Sequence, residues 1–136
     1  MPHVVVGICS RTRMDGQEEF LLVRTKADYG EQTGWYQPAG GKMEEGESEE
    51  QTLKREFKEE LGIDVEPGEK LAETDGDRLG FLVSWWSVSL PPSPFVVQSE
   101  ELAEVSWLTR VEIEAADVWP ATRAFFEEFI WHRVNP

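Results

Sequence analysis

Residues 41–63 read GKMEEGESEEQTLKREFKEELGI, a stretch that predicts an acidic loop, a helix and a helix stop. Ser48 stands where an N-cap is expected, and Gln51 completes the pattern of a capping box. Glutamates crowd the predicted start of the helix, where the macrodipole favours negative charge. Gly62 can adopt the left-handed conformation that ends many helices. The stretch therefore predicts one helix bounded by Ser48 and Gly62.

Three glutamates of this helix indicate a metal site rather than a solvated acidic face. At about 100° per residue, Glu56, Glu59 and Glu60 project from one side within a single turn. Like charges at such spacings repel each other, and Mg²⁺ removes the repulsion because it binds carboxylate oxygens in octahedral geometry. A neighbouring apolar stripe, which is expected to face a core, consists of Leu53, Phe57 and Leu61.

Seven residues at fixed spacings resemble the signature of the Nudix hydrolase superfamily. They are Gly41, Glu47, Arg55, Glu56, Glu59, Glu60 and Gly62. The resemblance covers residues 41–63 and departs from the family only at Phe57, where a smaller aliphatic residue is usual. It implies a Nudix-type α/β/α sandwich, with a mixed β-sheet between the signature helix and a C-terminal helix. It also implies hydrolysis of a phosphoanhydride in a nucleoside diphosphate linked to another group, with Mg²⁺ or Mn²⁺ as cofactor.

The resemblance further implies roles for individual residues. Glu56 and Glu60 are expected to be the principal metal ligands, with the Gly41 carbonyl and Glu101 completing the set. Glu59 is expected to be either a further ligand or the general base, since members of the family place the base differently.

Three other charged residues complete this expected site. Glu100 is the alternative to Glu101, and Glu104 is the third possibility, although its place nearer the strand favours a structural or solvated carboxylate. Arg55 belongs to the catalytic set, although it cannot be a base at neutral pH. It is expected to pair with Glu47 and so to orient the metal-binding glutamates.

Four residues outside the helix are candidates for substrate binding. Trp35 and Tyr36 are each able to stack on a nucleobase, with core packing as the alternative. Arg24 is able to reach substrate phosphates or to lie at a sheet edge, and Lys42 is the fourth candidate.

The substrate class is inferred mainly by excluding Nudix subfamilies whose additional motifs are missing from this sequence. Arg78 stands where ADP-ribose pyrophosphatases typically have proline, and residues 79–81 lack the tyrosine of dinucleoside polyphosphate hydrolases. The extended motif of NADH pyrophosphatases is also missing. A (d)NTP pyrophosphohydrolase of sanitising type is therefore favoured. The alternatives are an ADP-ribose or other nucleotide-sugar pyrophosphatase, and a catalytically silent nucleotide-binding regulatory module.

Composition restricts the partners. The 136 residues are expected to form one domain, residues 1–136. A net charge of −14 argues against a polynucleotide or an anionic membrane as ligand, but not against a small nucleotide carried with a metal.

The single Cys9 is expected in the core and fits a reducing compartment. No leader or long apolar segment is evident, so we expect a cytoplasmic protein. The oligomeric state stays open, with a homodimer as one alternative.

Apolar periodicity and turn residues predict the remaining elements. A strand at residues 3–10 is expected to form a hairpin with a strand at residues 18–25, around Asp15 and Gly16. A turn is expected at residues 64–68, and an amphipathic helix from residue 117 onwards. The other predicted strands lie at residues 70–74, 78–90 and 105–109.

Overall fold

The computed structural model describes residues 3–25, 34–75, 82–90 and 102–131. The strands are β1 His3–Ile8, β2 Ser10–Thr12, β3 Glu18–Thr25, β4 Tyr36–Gln37, β5 Gly40–Lys42, β6 Glu66–Asp75, β7 Leu82–Ser89 and β8 Leu102–Thr109. The helices are α1 Glu49–Leu61, α2 Arg110–Ala115 and α3 Pro120–Phe125, and a π-helical segment, Phe126–Trp131, follows α3 directly.

The strands form two sheets. The first has the order β5-β1-β7-β6, in which β1 and β7 are parallel and the other pairs antiparallel. In the second, β3 pairs with β2, β4 and β8, always antiparallel. The predicted strand at residues 3–10 therefore ends at Ile8, and Ser10 already belongs to β2 in the other sheet. The predicted hairpin with residues 18–25 is formed by β2 and not by β1. The apolar run continues through Cys9, so the sequence pattern alone does not reveal the change of partner.

Helices cover both faces of this β layer, which confirms the predicted α/β/α arrangement. Successive strand residues point to opposite faces, and they divide the buried side chains between two cores. One core joins the strands to α3 and the π-helical segment, and it includes Val6, Phe20, Leu22, Trp85, Phe125 and Phe126. The other joins them to α1, and it includes Val5, Leu21, Val23, Leu53, Phe57 and Leu61.

Helix α1 has the limits that the sequence predicts. The Gln51 backbone N–H donates to Ser48 Oγ at 3.1 Å, and the Ser48 backbone N–H donates to Gln51 Oε1 at 2.8 Å, which completes the capping box. Gly62 ends the helix with a φ of 69°. A Cβ on Gly7 of β1 would lie 2.8 Å from Cε1 of Phe57, so Gly7 provides the room for this large side chain.

Two predicted elements differ from the observed ones, and one observed helix was not predicted. The turn expected at residues 64–68 is instead the start of β6, where Pro67 is tolerated because β6 is an edge strand. The short helix α2 was not predicted, although Thr109 and Glu112 form a capping box at its start. The helix expected from residue 117 begins at Pro120, after the N-cap Trp119.

Candidate active site

The site begins where α1 lies against β5. A Cβ on Gly41 would overlap the Glu56 carboxylate, with its carbon Cδ only 2.5 Å away. Any side chain larger than hydrogen at residue 41 would therefore displace Glu56. The glycine that opens the signature thus lets the β5 backbone approach a helix carboxylate directly.

The three signature glutamates differ in their surroundings. The Glu56 side chain is 15% exposed and that of Glu59 is 57% exposed. The pKa of Glu56 is raised, because its burial outweighs the attraction of Arg55, and the negative charge of Glu59 adds to the rise. A bound cation would relieve this cost, because a nearby positive charge favours the charged form of the carboxylate.

Arg55 connects this group to the preceding loop. Its Nε and Nη2 donate to the two carboxylate oxygens of Glu47 at 2.6 and 3.0 Å, which confirms the predicted pair. Its Nη1 donates to Glu56 at 3.0 Å and to Glu59 at 3.3 Å. Nη2 also donates to the Lys42 carbonyl oxygen, at a nitrogen–oxygen distance of 2.9 Å. One guanidinium therefore fixes the loop, β5 and two glutamates relative to one another.

Glu47 is held as an anion. Besides the two bonds from Arg55, it accepts hydrogen bonds from the Glu44 backbone N–H and from Thr52 Oγ1, both at 2.9 Å. The Arg55 hydrogen bonds, followed by that from the Glu44 backbone, lower the pKa of Glu47 from 4.5 to about 2. Because the pKa is depressed in the folded protein, the stabilisation is complete above pH 4.5 and is lost as the pH falls towards 2.

We expect Glu47→Gln to lower the melting temperature near neutral pH and to have a progressively smaller effect as the solution is acidified. Thermal unfolding of the wild-type and variant apoproteins at matched ionic strength measures this difference. Glu45→Gln, on an exposed loop residue, is the control. A wild-type advantage that stays constant from neutral pH to about pH 2.5 would contradict the assignment of Glu47 as a carboxylate paired with Arg55.

The candidate substrate residues Arg24 and Tyr36 meet at Glu104. Arg24 Nη2 donates to Glu104 Oε1 at 2.9 Å, and the Tyr36 hydroxyl donates to Glu104 Oε2 at 2.6 Å. The Arg24 guanidinium lies 5.6 Å from the centre of the Tyr36 ring. Arg24 Nε is buried and has no hydrogen-bond partner among the described residues. Glu104 therefore holds the two candidate substrate residues together, as a structural carboxylate would.

The other candidates are more scattered. Trp35 is half-buried against the core that includes Trp85, and the Lys42 side chain is exposed on β5. Glu100 and Glu101 lie outside the described residues, as does Arg78. Within the described ranges, no helix combines the length and the apolar character that a membrane span requires.

A second polar cluster, which sequence reasoning missed, lies on the first sheet. Potential ligand atoms of His3, Glu49 and Glu73 all lie within 4.8 Å of one another. Lys70 Nζ, however, lies 3.1 Å from Glu49 Oε2 and 2.8 Å from Glu73 Oε1. The ammonium group already compensates part of the charge of these carboxylates, so Glu56, Glu59 and Glu60 remain the better candidates for a metal.

Comparison with known proteins agrees with this geometry. Residues 1–129 match the family described as the NUDIX domain. The CTP pyrophosphohydrolase of Escherichia coli strain K12 is 30% identical over 130 residues, covering 96% of this chain and 92% of that protein. Nucleoside triphosphatase NudI of Enterobacter sp. strain 638 is 28% identical, covering 80% of this chain and 86% of that protein. The crystal structure of the MutT protein from Methanosarcina mazei Go1 superposes with a TM-score of 0.80 at 26% identity, covering 98% and 94% of the two chains. The chain belongs to the Nudix family and is a Nudix hydrolase.

Proposed function

We propose that this enzyme is a (d)NTP pyrophosphohydrolase of the sanitising type, which converts a nucleoside triphosphate to the monophosphate and pyrophosphate. The observation that carries the proposal is the position of the Glu56 carboxylate on α1. It accepts a hydrogen bond from Arg55 and lies directly against Gly41. The names of two relatives, a CTP pyrophosphohydrolase and a nucleoside triphosphatase, support a triphosphate substrate.

Mg²⁺, or Mn²⁺ in its place, is the proposed cofactor. Glu56 and Glu60 are the proposed principal ligands, with the Gly41 carbonyl and Glu101 as additional ones. The residues present fit a hard cation, since they offer oxygen donors, and the missing Cβ of Gly41 leaves room beside Glu56. When bound, the metal would neutralise phosphate oxygens and make a coordinated water more acidic.

Glu59 is proposed as a further ligand or as the general base. Among the described residues, its exposed carboxylate accepts one long hydrogen bond, from Arg55 at 3.3 Å, which leaves an oxygen able to accept a proton from water. Arg55 stays protonated, because the hydrogen bonds that it donates to Glu47 raise its already high pKa. Its role is to orient Glu56 and Glu59.

The nucleotide itself is proposed to be held by residues of β3, β4 and β5. Tyr36 or Trp35 would stack on the base. Arg24 and Lys42 would contact the phosphates, and the unpartnered Nε of Arg24 supports such a role because a buried donor gains from an anionic acceptor. A net charge of −14 repels free polyphosphate, so binding should be weak without the metal.

A panel of nucleotides tests the proposed reaction. We expect pyrophosphate and a nucleoside monophosphate from at least one canonical or damaged (d)NTP, only when Mg²⁺ or Mn²⁺ is present. The panel also contains ADP-ribose, a nucleotide sugar and a dinucleoside polyphosphate, and products are identified by chromatography. Preferential cleavage of one of these three would overturn the triphosphate assignment. Nucleotide binding without turnover of any compound would indicate a regulatory module instead.

A further inference from the structure

Glu49, the first residue of α1, contacts three strands of the first sheet. Its Oε1 accepts a hydrogen bond from Trp86 Nε1 of β7 at 2.7 Å, and its Oε2 accepts one from Lys70 Nζ of β6 at 3.1 Å. His3 Nε2 of β1 lies 3.5 Å from the same Oε2. The Glu49 side chain is only 18% exposed. The start of the helix is therefore held to the sheet by directional polar contacts.

Glu49 is charged in this setting. Burial alone would raise its pKa, but the hydrogen bonds from Trp86, Lys70 and Ser84 outweigh burial, and the pKa is lowered. Lys70 also donates to Glu73 at 2.8 Å. The carboxylate of Glu49 is thus a stable, ionised acceptor rather than a group that awaits a proton or a metal.

Glu49 and Glu56 occupy the same side of α1. Seven helical residues correspond to about 700°, so the two side chains differ by only about 20° in direction and by about 10.5 Å along the axis. Glu56 faces Gly41 of β5, whereas Glu49 faces β6 and β7. The helix therefore has one polar anchor on the sheet at its start and carries its metal-binding group two turns later.

The apolar contacts of α1 do not fix the helix as tightly as its hydrogen bonds to the sheet. Leu53, Phe57 and Leu61 are fully buried, but apolar burial is non-directional and tolerates small shifts. Hydrogen bonds weaken steeply with angle and distance. Rotation of α1 about its axis, or sliding along it, would break the bonds of Glu49 before it exposed the apolar side chains.

We propose that Glu49 is a positioning residue, which sets the rotation and axial position of α1 and so the placement of Glu56, Glu59 and Glu60. It acts through the helix and touches neither metal nor substrate. The inference rests on the proposed function only in assigning these three glutamates to a metal.

The test uses Mn²⁺ as a probe and does not require turnover. Mn²⁺ affinity and stoichiometry are measured by electron paramagnetic resonance on the wild type, Glu49→Ala, Glu49→Gln and Glu50→Ala. Glu50 is the matched control because it is the next residue, is exposed, and carries the same charge near the same helix end. We expect Glu49→Ala to weaken Mn²⁺ binding about tenfold, in the range found when supporting groups around a metal site are lost. Glu49→Gln should lose less, since its amide oxygen still accepts from Trp86, and Glu50→Ala should match the wild type.

Hydrolysis of the best nucleotide gives a second readout. Misplaced glutamates should lower kcat about tenfold in Glu49→Ala, while KM stays within about twofold because the nucleotide contacts are elsewhere. If the wild type binds Mn²⁺ but hydrolyses no nucleotide, the proposed function fails, and the Mn²⁺ comparison still decides the role of Glu49.

Several outcomes would overturn the proposal. Equal Mn²⁺ affinity in Glu49→Ala and Glu50→Ala is the first. Loss of one bound Mn²⁺ ion in Glu49→Ala, with the remaining affinity unchanged, is the second, because Glu49 would then be a ligand itself. If Glu49→Ala does not fold, the double variant Lys70→Met with Trp86→Phe removes the hydrogen bonds that Lys70 and Trp86 donate to the Glu49 carboxylate. An unchanged Mn²⁺ affinity in this double variant would then reject the role of Glu49.

Discussion

Glu56→Gln is expected to reduce kcat/KM for the best nucleotide by about 10²-fold or more while the protein stays folded. Glutamine keeps the shape of the side chain and an oxygen for Arg55, but its neutral amide oxygen is a weaker ligand for Mg²⁺ than a carboxylate. The pKa of the largely buried Glu56 carboxylate is raised chiefly because burial disfavours its charge, so removing the charge removes that cost, together with the repulsion from Glu59, in the apoprotein. The melting temperature without metal should therefore be equal to that of the wild type or higher.

Kinetics at several Mg²⁺ concentrations separate a ligand from a base. A lost ligand is partly compensated by more metal, whereas a lost general base is not. The rise in melting temperature on adding Mg²⁺, which follows from mass action, should also shrink in Glu56→Gln and in Glu60→Gln. Glu45→Gln, on the exposed loop, should leave all of these quantities unchanged. An activity within a few-fold of the wild type at saturating Mg²⁺ would show that Glu56 is not part of the active site.

Local signals explain why α1 was predicted accurately. Ser48, Gln51 and Gly62 act on backbone groups within a few residues of themselves, so their pattern in the sequence is already the pattern of their contacts. The same holds for Arg55 and Glu47, which lie on one helix and the loop that leads into it. Thr109 and Glu112 carry the same kind of signal at the start of α2, and it could have been found.

The features that were not predicted depend on contacts between residues that are far apart in the sequence. Nothing around Cys9 shows that β1 pairs with β7 while β2 pairs with β3, because the apolar run that starts in β1 continues through Cys9 to the residue before β2. Glu49 and Lys70 are similarly distant in sequence, as are Arg24 and Glu104, and only the sheet register brings each pair together. The sequence therefore predicts the signature helix α1 well and its supports on the sheet poorly.

Arg55→Lys is expected to lower kcat by about 10- to 100-fold, although the positive charge is retained. The planar guanidinium donates to Glu47 through two nitrogens and also reaches Glu56, Glu59 and the Lys42 carbonyl. An ammonium group has three hydrogens on one nitrogen and cannot span these acceptors. The carboxylates would remain neutralised in part, but their directions would no longer be fixed.

Two comparisons isolate this geometric effect from a general effect of the helix. Lys58→Arg, at an exposed position of α1, should leave kcat and the melting temperature unchanged. Glu47→Gln combined with Arg55→Lys should lose little more activity than Arg55→Lys alone, because both changes disrupt one unit. Fully additive losses would mean that the two residues act independently. A kcat equal to that of the wild type in Arg55→Lys would mean that charge alone suffices, and the guanidinium would then have no orienting role.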